Sequence, residues 1–254
     1  MRKEGRIQCL TCLRRPYYQI VMSISHHAGN LRKATVTGPE AMLQTIEENG
    51  IIPFFENIIP GYSIEELTPP SCWFDGEDDP LGPWDWKIDC VQSGEIAYGK
   101  YLYGGKAAFA TVPFYRELRN YRLSLPKYAP DEAQGRILDY VAANGSVTIK
   151  EIRALLGVKK SAADALVTRL QMGCRLVTGD LSRVYRGENL SYKGWQVASF
   201  CRPEDLFAWD FPFAGQKAPS LDTSNTPEQS LSLLTRHIQS LTSAPEKAIL
   251  KLLQ

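Results

Sequence analysis

Ser146 to Gly173 reads SVTIKEIRALLGVKKSAADALVTRLQMG, and the reading of this stretch decides the fold. Thr148 stands before an apolar-periodic run and Glu151 follows it at the spacing of a capping box, in which the two side chains serve each other's backbone N–H groups. Gly157 stops that helix. After the short turn Val158-Lys159-Lys160 another helix starts, with Ser161 as its expected N-cap and Ala162, Leu166 and Leu170 as its expected buried face. Upstream, DEAQGRILDYVAANG (131–145) places Ile137, Leu138 and Val141 at helical spacing before a Gly145 stop. Downstream, CRLVTGD (174–180) and GWQVASFC (194–201) are strand-like and separated by a polar, basic segment. Three short helices and then a two-stranded hairpin with a long loop is the order of a winged helix-turn-helix, with the third helix as the recognition element. The expected fold class is therefore α+β, mainly α, with the winged-helix unit at 129–210.

If the third helix enters a major groove, Ser161, Asp164, Ala165, Thr168 and Gln171 face outward. Lys159 and Lys160 sit at its start, where free amides and lysines together suit a phosphate. Arg183, Arg186 and Lys193 fall in the wing and are placed to grip the backbone or minor groove. The nucleic-acid candidates are thus Lys159, Lys160, Ser161, Thr168, Arg183, Arg186 and Lys193. Small outward side chains read few base edges, so little sequence specificity is expected. The plainer reading is a winged helix used for packing or for binding another protein. The charge pattern agrees with a polyanion partner: between Glu40 and Gly99 the acids outnumber the bases, with Lys87 the single cation, whereas 145–195 is moderately basic.

The chain of 254 residues suits one or two domains with appendages. Residues 37–128 form a helical and aromatic segment. A helix from Gly38 to Gly50 carries Met42, Leu43 and Ile46, and Tyr103-Gly104-Gly105-Lys106 makes a tight turn between short apolar segments. Pro113 opens an aromatic helix. Residues 68–86, rich in proline and glycine, are expected to be an irregular loop with Trp84 and Trp86 pointing inward and Asp85 outward. Trp73, Trp84, Trp86, Tyr98 and Lys100 are a candidate pocket, and Asp75 and Asp85 are weak catalytic candidates within it. Aromatic faces stack bases, and a nearby carboxylate can assist cleavage of a glycosidic bond. Core packing is the plainer reading of the tryptophans, and a solvated surface that of Asp75-Gly76-Glu77-Asp78-Asp79. Beyond a linker, Thr226-Pro227-Glu228 starts a helix with Leu231, Leu233, Leu234, Ile238 and Leu241 on one stripe, and another follows Pro245; over 211–254 these are expected to pack back on the body. Residues 1–36 read as an extension without a fold of its own. Its Cys9, Cys12, His26 and His27 match zinc-finger spacing poorly, so neither a metal nor a cofactor is expected. Six sparse cysteines, no apolar run of membrane length and no signal peptide point to a cytoplasmic protein with reduced thiols.

The runs GIIPFFENIIPGYSIEELTPPSCWFDGEDDPLGPWDWK and AYGKYLYGGKAAF, followed by KGWQVASFCRPEDLF, resemble the bacterial AlkZ-related proteins, kin of the AlkZ/YcaQ winged-helix DNA glycosylases. The resemblance covers the chain from about Gly38 onward. It implies winged-helix units around a DNA-sized concavity and an association with DNA repair. Active glycosylases of that superfamily carry a Gln-x-Gln or Gln-x-Asp pair. Here Gln44-Thr45-Ile46 and Gln92-Ser93-Gly94 lack that pattern, so no catalytic residue carries over. A nucleic-acid-binding protein is the leading expectation, with DNA as partner. A glycosylase with a non-standard active site and a protein-binding scaffold are the alternatives.

Overall fold

The computed structural model describes residues 35–73, 81–207 and 220–254. The Cys9, Cys12, His26 and His27 group and Asp75 fall outside them. The Gly104-Gly105 turn, with φ of 71° and 66°, folds β2 (Ile96–Leu102) back on β3 (Lys106–Thr111), and β1 (Ile51–Pro53) pairs along the other side of β3. Both pairings are antiparallel and place Ile52 and Tyr98 beside Phe109. Buried Met42 and Ile46 of α1 (Pro39–Asn49) share one apolar core with this sheet. So do Tyr115 and Leu118 of α4 (Val112–Leu123). The short α2 (Ile64–Leu67) lies between β1 and the proline-rich segment, capped by Ser63, whose side chain accepts from the Glu66 N–H.

Leu234 and Ile238 of α9 (Pro227–Thr242) and Ile249, Leu252 and Leu253 of α10 (Glu246–Leu253) join the same core. Thr226 caps α9 reciprocally with Gln229. A buried carboxylate fastens α9 to α4. Glu117 accepts from Ser230 Oγ (2.6 Å), Thr223 Oγ1 (3.0 Å), Asn225 Nδ2 (3.0 Å) and Arg116 Nε (3.0 Å). Burial alone would raise its pKa, but these four donors outweigh burial and hold it below the ordinary range.

Three helices and a small sheet follow: α5 (Glu132–Asn144), β4 (Val147–Thr148), α6 (Ile149–Leu156), α7 (Lys160–Met172), β5 (Val177–Arg186) and β6 (Ser191–Cys201). The sheet order is β4-β6-β5, all antiparallel. Capping boxes at Asp131–Gln134 and Thr148–Glu151 start α5 and α6. Three expectations are corrected. The strands run through the basic segment, so Arg183, Arg186 and Lys193 are on strands and only 187–190 turn. The N-cap of α7 is Lys159, with Ser161 already inside the first turn. The buried stripe of α7 is Ala163, Val167 and Leu170, while Leu166 is half-buried and Ala162 exposed. The apolar band on this helix is wide enough for either center. Contacts of Thr168 and Gln171 with the β2–β3 hairpin rotate the helix by one position.

The structure also corrects the irregular loop at 68–86, because α3 (Pro83–Gln92) begins inside it. Pro83 supplies the helical φ at the first position, and Asp85 complements the dipole in the first turn. Gly82 enters with φ of 47°, and a Cβ there would lie 1.7 Å from the Cys72 carbonyl oxygen, so only glycine fits. Ile88 and Val91 of α3 pack with Leu181 of β5, while Trp86 and Cys90 face the main core. After β6 comes α8 (Pro203–Phe207), whose Glu204 pairs with Arg119 of α4.

One buried cation joins the two sheets' surroundings. Arg122 on α4 has no exposed surface; it donates to Tyr128 Oη (2.7 Å), the Met172 carbonyl at the end of α7 (2.8 Å) and the Tyr101 carbonyl in β2 (3.0 Å). Arg122→Ala would strand two backbone carbonyls and leave a cavity, at a cost on the order of 3 kcal/mol or more. Arg122→Met restores bulk without donors and is expected to recover only part of that loss. Urea unfolding of the three proteins checks this, and a near-neutral Arg122→Met would assign Arg122 a space-filling role alone.

Candidate functional site

Phe54, fully buried at the end of β1, is the hub of the aromatic segment. Around it lie Phe55 (ring centers 4.6 Å apart), Phe109 (5.7 Å), Trp73 (6.0 Å), Trp84 (6.3 Å) and Tyr98 (6.5 Å), most of them edge-on or tilted. The expected pocket of Trp73, Trp84, Trp86, Tyr98 and Lys100 is therefore corrected to a packed cluster. Trp73, Trp84 and Tyr98 fill space around Phe54, whereas Trp86 points into the main core. Lys100 leaves the cluster: its N–H donates to Gln171 Oε1 (3.1 Å) and its Nζ reaches Thr168 Oγ1 (3.5 Å), both on α7.

Helical geometry explains why Trp84 and Trp86 diverge, since residues two apart sit on nearly opposite sides of a helix. Trp84, Asp85 and Ile88 turn toward the β5–β6 hairpin. Trp84 Nε1 donates to the Gly194 carbonyl (3.3 Å), and the Trp84 carbonyl accepts from Gln196 Nε2 (3.0 Å). Asp85 does not face water as expected. Its two oxygens accept from Arg183 Nε (3.1 Å) and Nη2 (2.8 Å), a bidentate pair with side chains 22% and 27% exposed. Hydrogen bonding to Asp85 raises the Arg183 pKa further above its already high value. Both Asp85 oxygens are therefore engaged by one guanidinium. Arg183 is likewise committed to α3.

Sequence reasoning missed Lys87. Its side chain is 3% exposed, and its Nζ lies 3.3 Å from the Trp84 ring center and 5.7 Å from that of Phe54. No described carboxylate forms a salt bridge with it. Burial pushes its pKa down to about 8, with Asp85 opposing. The available signal was its place as the one base in a long acidic stretch, directly after Trp84 and Trp86.

The outer surface of the hairpin is of another kind. Ser191, Lys193, Trp195 and Val197 alternate outward along β6, while Tyr192, Gly194 and Gln196 lie inward of them, with Gln196 and Gly194 bonded to Trp84. Trp195 is 62% exposed, and the Arg186 guanidinium lies 5.3 Å from its ring center. Val184, Arg186, Gly187, Ser191, Lys193 and Trp195 line a shallow hollow of about 280 Å³. On α7, Lys159, Lys160 and Ser161 are exposed at the N-terminus. Two positions expected outward are not free: Gln171 is buried, donating to Thr178 Oγ1 (3.2 Å), and Thr168 is half-buried against Gly105.

The family model described as AlkZ related matches residues 36–254. The chain belongs to the AlkZ-related family. The match takes in both sheets, α3 and the C-terminal helices, so the Phe54 cluster and the Asp85–Arg183 clamp lie within the family region. Comparison with curated proteins and with solved structures gave no match. Among the described residues, no group of three or more His, Cys, Asp or Glu is placed to hold a metal ion, and no helix is long and apolar enough to cross a membrane.

Moving the Lys87 ammonium from 10.5 to about 8 corresponds to roughly 3 kcal/mol favoring the neutral form. Between these values the unfolded chain binds more protons than the folded one, so stability from this group rises with pH across the window. Lys87→Met is therefore expected to be more stable than wild type at pH 7, by about 1–3 kcal/mol after loss of the contact with Trp84. That advantage should shrink as pH rises from 8 toward 10.5. Urea melts of both proteins at pH 7 and 10 test it; a pH-independent difference would mean the ammonium is well solvated. Separately, a double-mutant cycle of Asp85→Asn and Arg183→Gln should give a coupling on the order of 1 kcal/mol that weakens in high salt. Zero coupling would remove the clamp from the forces holding the hairpin.

Proposed function

We propose that residues 132–201 are a winged helix-turn-helix that binds duplex DNA with little sequence specificity, in a DNA-repair role of the kind the family suggests. One observation carries the reading. The order helix, short strand, two helices and hairpin, with sheet order β4-β6-β5, supports a winged-helix reading, and the third of these helices begins with exposed Lys159, Lys160 and Ser161. Neither lysine forms an ion pair with a described residue, so both are available to phosphate. Arg186 and Lys193 add cations on the wing. Because Thr168 and Gln171 are engaged with β2 and Thr178, the N-terminal half of α7, with small Ser161, Ala162 and Ala165, is what it offers to a groove. Side chains this short read few bases, which supports low specificity.

Wild-type protein is expected to bind random-sequence duplex with an affinity that falls steeply as salt rises, because each phosphate contact releases counterions. Lys159→Glu with Lys160→Glu should weaken binding and flatten the dependence of log K on log salt by up to roughly 2, at about 0.9 per contact. Fluorescence anisotropy across a salt series measures both. A folded double variant with unchanged affinity and slope would take these lysines out of the interface. Salt-insensitive or absent binding by wild type would favor a protein-binding use of the module.

A further inference from the structure

We propose that the outer face of the β5–β6 hairpin is a stacking platform for an unpaired nucleobase, with Trp195 as the platform and Arg186 and Lys193 holding the adjoining phosphates. The proposal rests on the nucleic-acid reading above and adds to it the form of nucleic acid preferred.

A tryptophan with 62% of its surface in water is costly to leave unpartnered, and it stands on a regular strand with its ring beside Arg186. Val197, 49% exposed, continues the apolar strip on the same side of β6. Lys193 alternates with them on that side and lines the hollow together with Arg186 and Trp195. One carboxylate, Glu188, occurs in the intervening turn. An apolar protein surface seated here would bury two cations without partners, at a penalty. A nucleobase offers a π-face to the indole while its own backbone supplies the anions the cations need, so its chemistry matches the whole patch. Bases inside an intact duplex expose edges and not faces, so the fit is to a base already out of the stack, as at a bulge, a gap or a single strand.

The platform is also held still. On the inner side of the hairpin, Arg183 grips Asp85, Gln196 donates to the Trp84 carbonyl, and Trp84 donates to the Gly194 carbonyl. Leu181 and Ala198 pack against Ile88 and Val91 of α3. A ligand stacking on Trp195 therefore orders little that is not already ordered, and more of the contact energy appears as affinity. The rigid aromatic cluster thus acts at a distance, as the support behind the hairpin.

The test uses full-length protein and two fluorescein-labelled duplexes of identical length, one fully paired and one with a single bulged adenine, measured by anisotropy. Wild type should prefer the bulged duplex. Trp195→Leu, which keeps apolar bulk on the strand but removes the π-face, should lose roughly 5- to 150-fold on the bulged duplex. Its affinity for the paired duplex should change by less than about twofold, and Trp195→Phe should keep most of the preference. Wild type that binds both duplexes equally, or a Trp195→Leu effect that is equal on both or absent from both, overturns the platform while leaving duplex binding standing. Wild type that binds neither duplex removes the nucleic-acid reading as well. A wild-type dimer that Trp195→Leu converts to a monomer in sizing chromatography, with DNA affinities unchanged, overturns it in favor of a second copy of the chain. Circular dichroism confirms folding, and should Trp195→Leu not fold, Trp195→Val, which keeps a strand-favoring apolar side chain but likewise removes the π-face, gives the same readout.

Discussion

A single buried guanidinium, that of Arg122, holds the architecture together. It lies on α4 with no exposed surface and ties the end of β2, the end of α7 and Tyr128 to one point. Among the described residues no carboxylate forms a salt bridge with it. The charge is balanced instead by carbonyl dipoles, a phenol oxygen and the Tyr128 ring 4.9 Å away. Burying a cation without a counter-ion is expensive, so it persists only where the surrounding groups over-determine its position. Here Nη1 and Nη2 are held by three acceptors that each belong to a different element, while Nε has no hydrogen-bond partner. The nearby Gln171 repeats the pattern with neutral groups, receiving the Lys100 N–H from β2 and donating to Thr178 on β5. Residues 35–73, 81–207 and 220–254 accordingly pack as one compact unit.

The second tie is α3. One side of this ten-residue helix sends Trp86 and Cys90 into the main core, and the other sends Trp84, Asp85, Ile88 and Val91 to the hairpin. A helix used on both sides needs apolar residues around most of its circumference, which accounts for its aromatic richness. Two of its polar side chains become specific partners there: Asp85 for Arg183, and Lys87 for the face of Trp84. Tryptophans and acids thus occur together because the aromatics fill the junction and one acid, Asp85, locks it.

These ties divide the cations named above into two groups. Arg183 and Arg122 are spent on internal partners. Lys159, Lys160, Arg186 and Lys193 stand outside, at the start of α7 and on the free face of the hairpin. A count of positive charge along the chain cannot make this distinction.

The local elements were legible in the sequence because their causes are local. The capping box at Thr148, the helix start at Thr226 and the glycine stops at Gly145 and Gly157 act over one or two helical turns, and the structure keeps each of them. The family too could be read from short runs, and the match over residues 36–254 agrees. Three matters were settled only by tertiary contacts. The wide apolar band on α7 allowed two centers, and the docking of Thr168 and Gln171 on β2 selected Ala163, Val167 and Leu170. Prolines and glycines at 68–86 announced a loop, but Pro83 serves as the first residue of a helix whose stability comes from packing on both sides. The partners of Asp85 and Lys87 depend on residues about a hundred positions away in one case and on the face of a neighboring ring in the other. The pattern along a chain encodes periodicity and caps, which are near-neighbor effects, whereas which polar groups meet is decided by how the finished elements close against each other.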